Sequence, residues 1–177
     1  YGELLAEIEL LADRLRETKS LADRLRAGGP RAIAILADNG RAWALADLAA
    51  HAAGIPTIPL PLFFSAAQIV HVFRTAGIDQ VLTDQPARLL AALQQPSLPV
   101  EPFYGELQRV RLSSVAASAT ALPAATRKVT FTSGTTGTPK LVAHTHRGQL
   151  VAALGGVLMG GLTAADTSTG TLPLFHV

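Results

Sequence analysis

The sequence predicts an α/β fold, a parallel sheet flanked by helices. Three observations carry that expectation. Short apolar runs alternate with helical stretches in the order strand–helix–strand–helix–strand, the pattern of right-handed crossovers in a parallel sheet. Gly and Pro stand at the junctions between these segments, where chain direction changes. Of the 177 residues, 49% are hydrophobic and 16% charged, enough to bury a sizeable core and too apolar for a disordered chain.

The elements follow in order. Residues 3–27 read as helix, with Leu4, Ile8, Leu11 and Leu15 at helical spacing and Gly28, Gly29 and Pro30 as the stop. The hexamer LADRLR occurs at 11–16 and again at 21–26. A ten-residue offset turns a continuous helix about 80° off register, so the two copies would not share one buried face. Ser20 with Asp23 resembles an N-cap, which places a break near residues 18–20. Residues 31–36 (RAIAIL) form a buried strand, and Asp38, Asn39 and Gly40 a turn. A helix runs from Trp43 to Ala53 and closes on Gly54. The strand at 55–60 is short or irregular because of Pro56 and Pro59. Ser65 caps a helix that ends at Ala76 and Gly77. Residues 80–83 (QVLT) are the third strand, 84–93 a helix, 94–102 a proline-rich connection, and 113–127 a low-complexity loop. Beyond the loop at 132–140, a helix spans 149–159 and stops at Gly160 and Gly161. A last strand covers 168–172.

Composition narrows the function. The length suits one large domain or a piece of something larger. The net charge of +2 is too small to imply a nucleic-acid partner or an anionic membrane surface. With no cysteine, disulfides, thiol catalysis and Cys-based zinc sites drop out, which fits a cytoplasmic protein. No signal peptide is read at the start, and the most apolar stretch, 150–165, carries four glycines and falls short of a membrane span.

The chemistry concentrates at 129–142, VTFTSGTTGTPKLV. Val129, Thr130 and Phe131 have strand character. Gly134 and Gly137 let the backbone take positive φ and approach a ligand closely. Thr132, Ser133, Thr135, Thr136 and Thr138 place hydroxyls beside backbone N–H groups, a concavity suited to phosphate oxygens. Lys140 contributes the one charge of the stretch. The ligand these features suit is a polyphosphate. The spacing is not that of a Walker A loop, because Lys140 follows Pro139 and Leu141 stands where a Mg²⁺-binding hydroxyl belongs.

Residues 131–140, FTSGTTGTPK, closely resemble the signature loop of the adenylate-forming (AMP-binding) superfamily. That superfamily includes acyl- and aryl-CoA synthetases, peptide-synthetase adenylation domains and luciferases. Leu141 departs from its usual Gly, outside the phosphate cradle. Residues 173–177, PLFHV, resemble the segment that lines the acyl pocket in acyl- and aryl-CoA synthetases. The earlier stretches YGEL, AIAILADN, Trp43 and GIPTIPL fit in order and spacing. The resemblance spans essentially all 177 residues. It implies the first part of the family's large N-terminal domain, with the later adenine- and ribose-holding motifs and the small C-terminal domain with its catalytic lysine absent.

The resemblance implies ATP-dependent activation of a carboxylic acid to an acyl-adenylate, then transfer to coenzyme A. It implies ATP as co-substrate, with Mg²⁺ bound mainly through ATP. Thr132, Ser133, Gly134, Thr135, Thr136, Gly137, Thr138 and Lys140 would hold the phosphates, with Lys140 and His176 as catalytic residues. Two other readings stay open: transfer to a carrier-protein thiol, and a non-catalytic nucleotide-binding fragment. The 177-residue segment alone is expected not to turn over. His144 and His146, at i and i+2, would point the same way on a strand, but no third metal ligand stands near them. Asp47, Asp79 and Asp84 read as solvated charges or helix caps.

Overall fold

The computed structural model describes residues 1–16, 32–112, 122–132, 139–167 and 172–176. The second LADRLR copy, the expected break at 18–20, most of the 113–127 loop, Ser133 to Thr138 and nearly all of the 168–172 strand lie outside the described residues.

Within them the chain builds one seven-stranded sheet with helices on its faces. The elements are α1 (Gly2–Arg16), β1 (Ala32–Leu36), α2 (Arg41–Ala53), β2 (Thr57–Pro59), α3 (Ala66–Ala76), β3 (Ile78–Thr83) and α4 (Pro86–Leu93). They continue with β4 (Val100–Tyr104), β5 (Leu107–Arg111), β6 (Thr126–Thr132), β7 (Lys140–Thr145), α5 (His146–Gly160) and a 3₁₀ turn (Leu174–His176). Across the sheet the order is β4-β5-β3-β1-β2-β6-β7.

The four central strands, β3, β1, β2 and β6, run parallel, as the alternating sequence implies. Antiparallel pairings extend this parallel core at both edges, β5 and β4 on one side and β7 on the other, which makes the whole sheet mixed. The stretch read as a proline-rich connection contains the start of β4. Pro102 is tolerated there because β4 is an edge strand, and Gly105, at φ 54°, makes the tight return into β5. Thr126 and Arg127, read as the end of a loop, already belong to β6.

Both faces of β1 are covered, so its apolar run is unbroken. Ala32, Ala34 and Leu36 join Ile58, Leu60, Val72, Phe73 and Val81 in one core layer beneath α3 and α4. Ile33 and Ile35 face the other way and join Leu11, Leu15, Trp43, Leu45 and Ala46, the layer under α1 and α2. α1 therefore docks by one narrow stripe of its sequence.

The helix ends mostly follow the sequence. Gly54 closes α2 in the left-handed region, with its N–H donated to the last carbonyls. Ser65 caps α3 through a reciprocal pair with Gln68. Two helices start elsewhere than expected. α4 begins at Pro86 because Thr83 Oγ1 accepts from the Gln85 N–H and Asp84 accepts from the Asp38 N–H, which holds 84–85 as a turn. α5 begins at His146 because Thr145 caps it, its hydroxyl accepting from the Gly148 N–H. Along α5, Leu150, Val151, Leu154, Val157, Leu158 and Met159 are all exposed.

Removing the Ser65 hydroxyl breaks one half of its capping box, the bond it accepts from the Gln68 N–H, and leaves the Ser65 N–H bonded to the Gln68 side chain. Ser65→Ala is expected to lower the unfolding free energy by about 1 kcal/mol, and Ser65→Asp to retain most of it. Urea denaturation of the two variants side by side checks this.

Candidate functional site

The parallel strands β3, β1, β2 and β6 all point their carboxyl ends at one edge of the sheet. In open α/β sheets that edge is where ligands bind. Four features of this chain meet there: the turn after β1, the 60–65 loop after β2, the Thr132–Lys140 end of the β6–β7 hairpin, and the 3₁₀ turn at Leu174–His176, which packs against β2 and β6.

Thr132 is the last residue of β6 and Lys140 the first of β7, and the two are paired across the antiparallel ladder. They form the neck from which the loop Ser133 to Thr138 springs. Six ladder pairs, Thr126↔Thr145 through Thr132↔Lys140, make the hairpin below them. Both neck residues are exposed, while Pro139 beside them is buried. Of the expected phosphate-binding set, Thr132 and Lys140 thus share one neck, and the six residues between fall outside the described ones.

His176 ends the 3₁₀ turn and is exposed. A chain of aromatic contacts ties it to the hairpin. The Phe131 ring meets Phe64 edge-on at 5.3 Å, Phe64 meets Phe63 at 5.6 Å, Phe63 meets Phe175 at 5.8 Å, and Phe175 lies 4.6 Å from the His176 imidazole. Edge-to-face stacking at such spacings is favourable. Two polar clamps fix this arrangement. The Asn39 side chain accepts from the Leu174 N–H at 2.9 Å and donates to the Leu172 carbonyl at 3.2 Å. Arg88 donates to the carbonyls of Leu62 (2.6 Å) and Phe64 (3.0 Å). Sequence reasoning took Asn39 only as a turn residue. Its signal was its place just past a buried strand, where a short amide reaches neighbouring backbone.

His144 and His146 do not act as a pair. His144 is in β7 and its Nε2 lies 2.7 Å from Thr130 Oγ1 on β6. His146 has passed into α5 and its ring lies 5.6 Å from that of His51. Among the described residues, no three His, Cys, Asp or Glu side chains gather as a metal-holding group.

Asp47 and Asp79 are not solvated. Asp79 is a buried member of β3. Asp47, on α2, accepts a hydrogen bond from Thr57 Oγ1 at 2.8 Å and an ion pair from Lys128 Nζ at 2.9 Å. The Lys128 side chain is 4% exposed and that of Asp47 14%, and the ammonium lies 5.4 Å from the centre of the Trp43 ring. One helical turn on, burial drives the His51 pKa below its usual 6.5, and the charges of His146 and Lys128 push the same way. Asp47 and the Gln149 side chain oppose them. Leu10, Leu48 and Leu172, by contrast, are exposed. No described helix is long and apolar enough to cross a membrane.

A family model described as AMP-binding enzyme matches residues 1–177. Rat long-chain-fatty-acid–CoA ligase 6 is 28% identical over 209 aligned positions, which take in all of this chain and 29% of that protein. A Rhodopseudomonas palustris protein assigned as a long-chain-fatty-acid CoA ligase shares the fold with a TM-score of 0.67, at 23% identity over 97% of this chain and 44% of its own. O-succinylbenzoate coenzyme A synthetase from Bacillus subtilis, solved with ATP and a magnesium ion, superposes with a TM-score of 0.65. Its identity is 21%, over 99% of this chain and 44% of its own. The chain thus spans less than half the length of each of these relatives.

The lowered His51 pKa makes stability depend on pH. The folded protein binds fewer protons at His51 than the unfolded chain does, so the contribution is complete above pH 6.5 and is lost as pH falls through the depressed folded value. Urea midpoints measured from pH 7.5 down to 5 are expected to fall more for the native protein than for His51→Gln. Parallel pH curves for the two would refute the assignment.

Proposed function

The chain belongs to the AMP-binding enzyme family, and from that premise we propose that it is part of an ATP-dependent acid–thiol ligase that activates a carboxylic acid and passes it to coenzyme A. The observation that carries this reading is the Thr132–Lys140 neck at the carboxyl edge of a parallel sheet, closing a loop of sequence SGTTGTP.

In this reading a carboxylate oxygen attacks the α-phosphorus of ATP, the bond to the β-phosphate breaks, and pyrophosphate leaves. The sulfur of coenzyme A then attacks the acyl carbon and AMP departs. The first step brings two anions together, so preorganised donors and positive charge at the departing phosphates supply most of what the protein can contribute. Thr132, the hydroxyls and N–H groups of Ser133, Gly134, Thr135, Thr136, Gly137 and Thr138, and the Lys140 ammonium have the chemistry for the β- and γ-phosphates. Mg²⁺ would be held mainly by ATP's own hard oxygens, and it would neutralise phosphate charge. His176, at the end of the aromatic chain, is read as bordering the acid's carboxylate. The names of the relatives favour coenzyme A over a carrier-protein thiol as acceptor.

The segment is read as the first part of a larger N-terminal domain. A helix that is apolar all round is normally buried, yet α5 has no buried side chain among the described residues. The face it presents is the one that further chain would cover, and turnover is accordingly expected of the longer protein.

Lys140→Ala in the longer protein is expected to lower carboxylate-dependent pyrophosphate exchange on the order of a hundredfold, the loss of about 3 kcal/mol typical of one preorganised charge-stabilising donor. Because Lys140 is exposed, the melting temperature should stay near that of the native protein. Unchanged exchange in Lys140→Ala would sink the assignment.

A further inference from the structure

The seam between β2 and β6 is the thinnest in the sheet. β2 is three residues long, and its register with β6 rests on one pair, Thr57↔Lys128. The cause lies in the sequence. The Pro56 carbonyl accepts from the Ile33 N–H, and the Leu60 N–H donates to the Ile35 carbonyl, so alternate residues of this strand are committed to β1. Thr57 and Pro59 therefore turn their backbone groups toward β6, and Pro59 has no N–H to give. The β6–β7 hairpin, tightly laddered within itself, is joined to the parallel sheet by little backbone bonding.

Asp47 stands over that seam. One carboxylate oxygen takes the Thr57 hydroxyl of β2 and the other takes the Lys128 ammonium of β6. Helix α2 thus staples the two strands side chain to side chain at the same pair that the backbone ladder uses. A buried ion pair of this kind is seldom the most stable filling, since an apolar pair of similar size usually does as well or better. What charge adds is selection of one register. A slip of β6 by one residue would carry Lys128 to the opposite face and leave the Asp47 carboxylate without its cation, held by the Thr57 hydroxyl alone. It would also move Thr132 and Lys140 about 3.3 Å along the strand direction.

We propose that Asp47 and Lys128, with Thr57, are positioning residues that fix the register of the β6–β7 hairpin and so set where Thr132 and Lys140 stand at the carboxyl edge. They act at a distance, since Thr132 lies four residues, about 13 Å of strand, beyond Lys128. The inference rests on the phosphate-binding reading for its functional consequence, but the register it assigns to the hairpin can be read without activity.

The test uses the full-length protein and the double variant Asp47→Leu/Lys128→Met, which removes both charges together. Two readouts are taken. The first is backbone hydrogen exchange in β6 and β7 without ligand. The second is pyrophosphate exchange with MgATP and either octanoate or benzoate. The expected result is a folded variant whose β6 and β7 amides exchange at least tenfold faster while those of β1 and β3 keep their protection. Its pyrophosphate exchange falls at least tenfold in kcat. Restoring a charge pair in the opposite sense, Asp47→Lys/Lys128→Asp, should recover part of the protection. A folded double variant with native amide protection in the hairpin overturns the proposal, as does native kcat with altered protection. If the native protein itself shows no acid-dependent exchange, the ligase reading fails, and the amide protection still decides the role in register. Should the apolar pair not fold, Asp47→Asn/Lys128→Gln, which keeps size and hydrogen bonding, is read by the same two measurements.

Discussion

The structure depends on how a two-stranded antiparallel hairpin is attached to a parallel sheet across a strand that proline has cut short. β2 gives one side of its backbone to β1, and on the other side Pro59 withholds a donor. Everything that gives the chain its chemical character sits on the far side of this seam or leans across it. Thr132 and Lys140 lie at the top of the hairpin, and the 3₁₀ turn that carries His176 packs on both strands of the seam. The side-chain bridge from Asp47 to Thr57 and Lys128 supplies the specification that the ladder lacks there.

The same edge is braced on its other face by rings. Phe131 leaves β6, Phe64 and Phe63 come from the loop after β2, and Phe175 from the 3₁₀ turn. Phe64 is buried and Phe63 exposed, so the chain of rings runs from core to surface. Arg88 and Asn39 tie down the backbone on either side of it. A carboxyl edge built this way keeps its loops close together with backbone-directed hydrogen bonds, and leaves Thr132 and Lys140 of the hairpin neck exposed.

The fold was legible where the sequence used local chemistry. Ser65 with Gln68, Gly54 and Gly77 mark helix ends by their own conformational needs, and RAIAIL reads as a doubly covered strand because both its faces are apolar. The antiparallel edges were hidden for the opposite reason. β4 contains Pro102 and Glu101 and looks like a connection, because an edge strand is excused the rules that a central strand obeys. At the site, the Gly, Thr and Lys spacing is what suggests a phosphate loop, and the described residues of that stretch are its neck, Thr132 and Lys140. Asn39 and Asp47 did not stand out, since their partners, Leu172, Leu174 and Lys128, are 80 or more positions away in the chain. An Asp on a helix looks solvated until the helix is laid against a strand that carries a lysine.

The two lysines of the hairpin show why residue type alone cannot assign a role. Lys128 and Lys140 lie on adjacent strands, and both are followed by an apolar residue. Lys128 sits low in β6, where the sheet is covered by α2, and its charge is compensated at 2.9 Å by Asp47. Its ammonium is therefore committed to a fixed place and adds little field at the edge. Lys140 sits at the mouth, exposed and, among the described residues, without a carboxylate partner. Of these two lysines, among the described residues, its charge is the one free to meet an anion. Depth along the strand makes the difference: four residues of β6 separate a lysine's worth of structural specification from the neck at which a second lysine is presented to solvent. On the proposed reading, a phosphate-binding edge needs both, because a mobile positive charge is useful only when the strand that delivers it cannot slide.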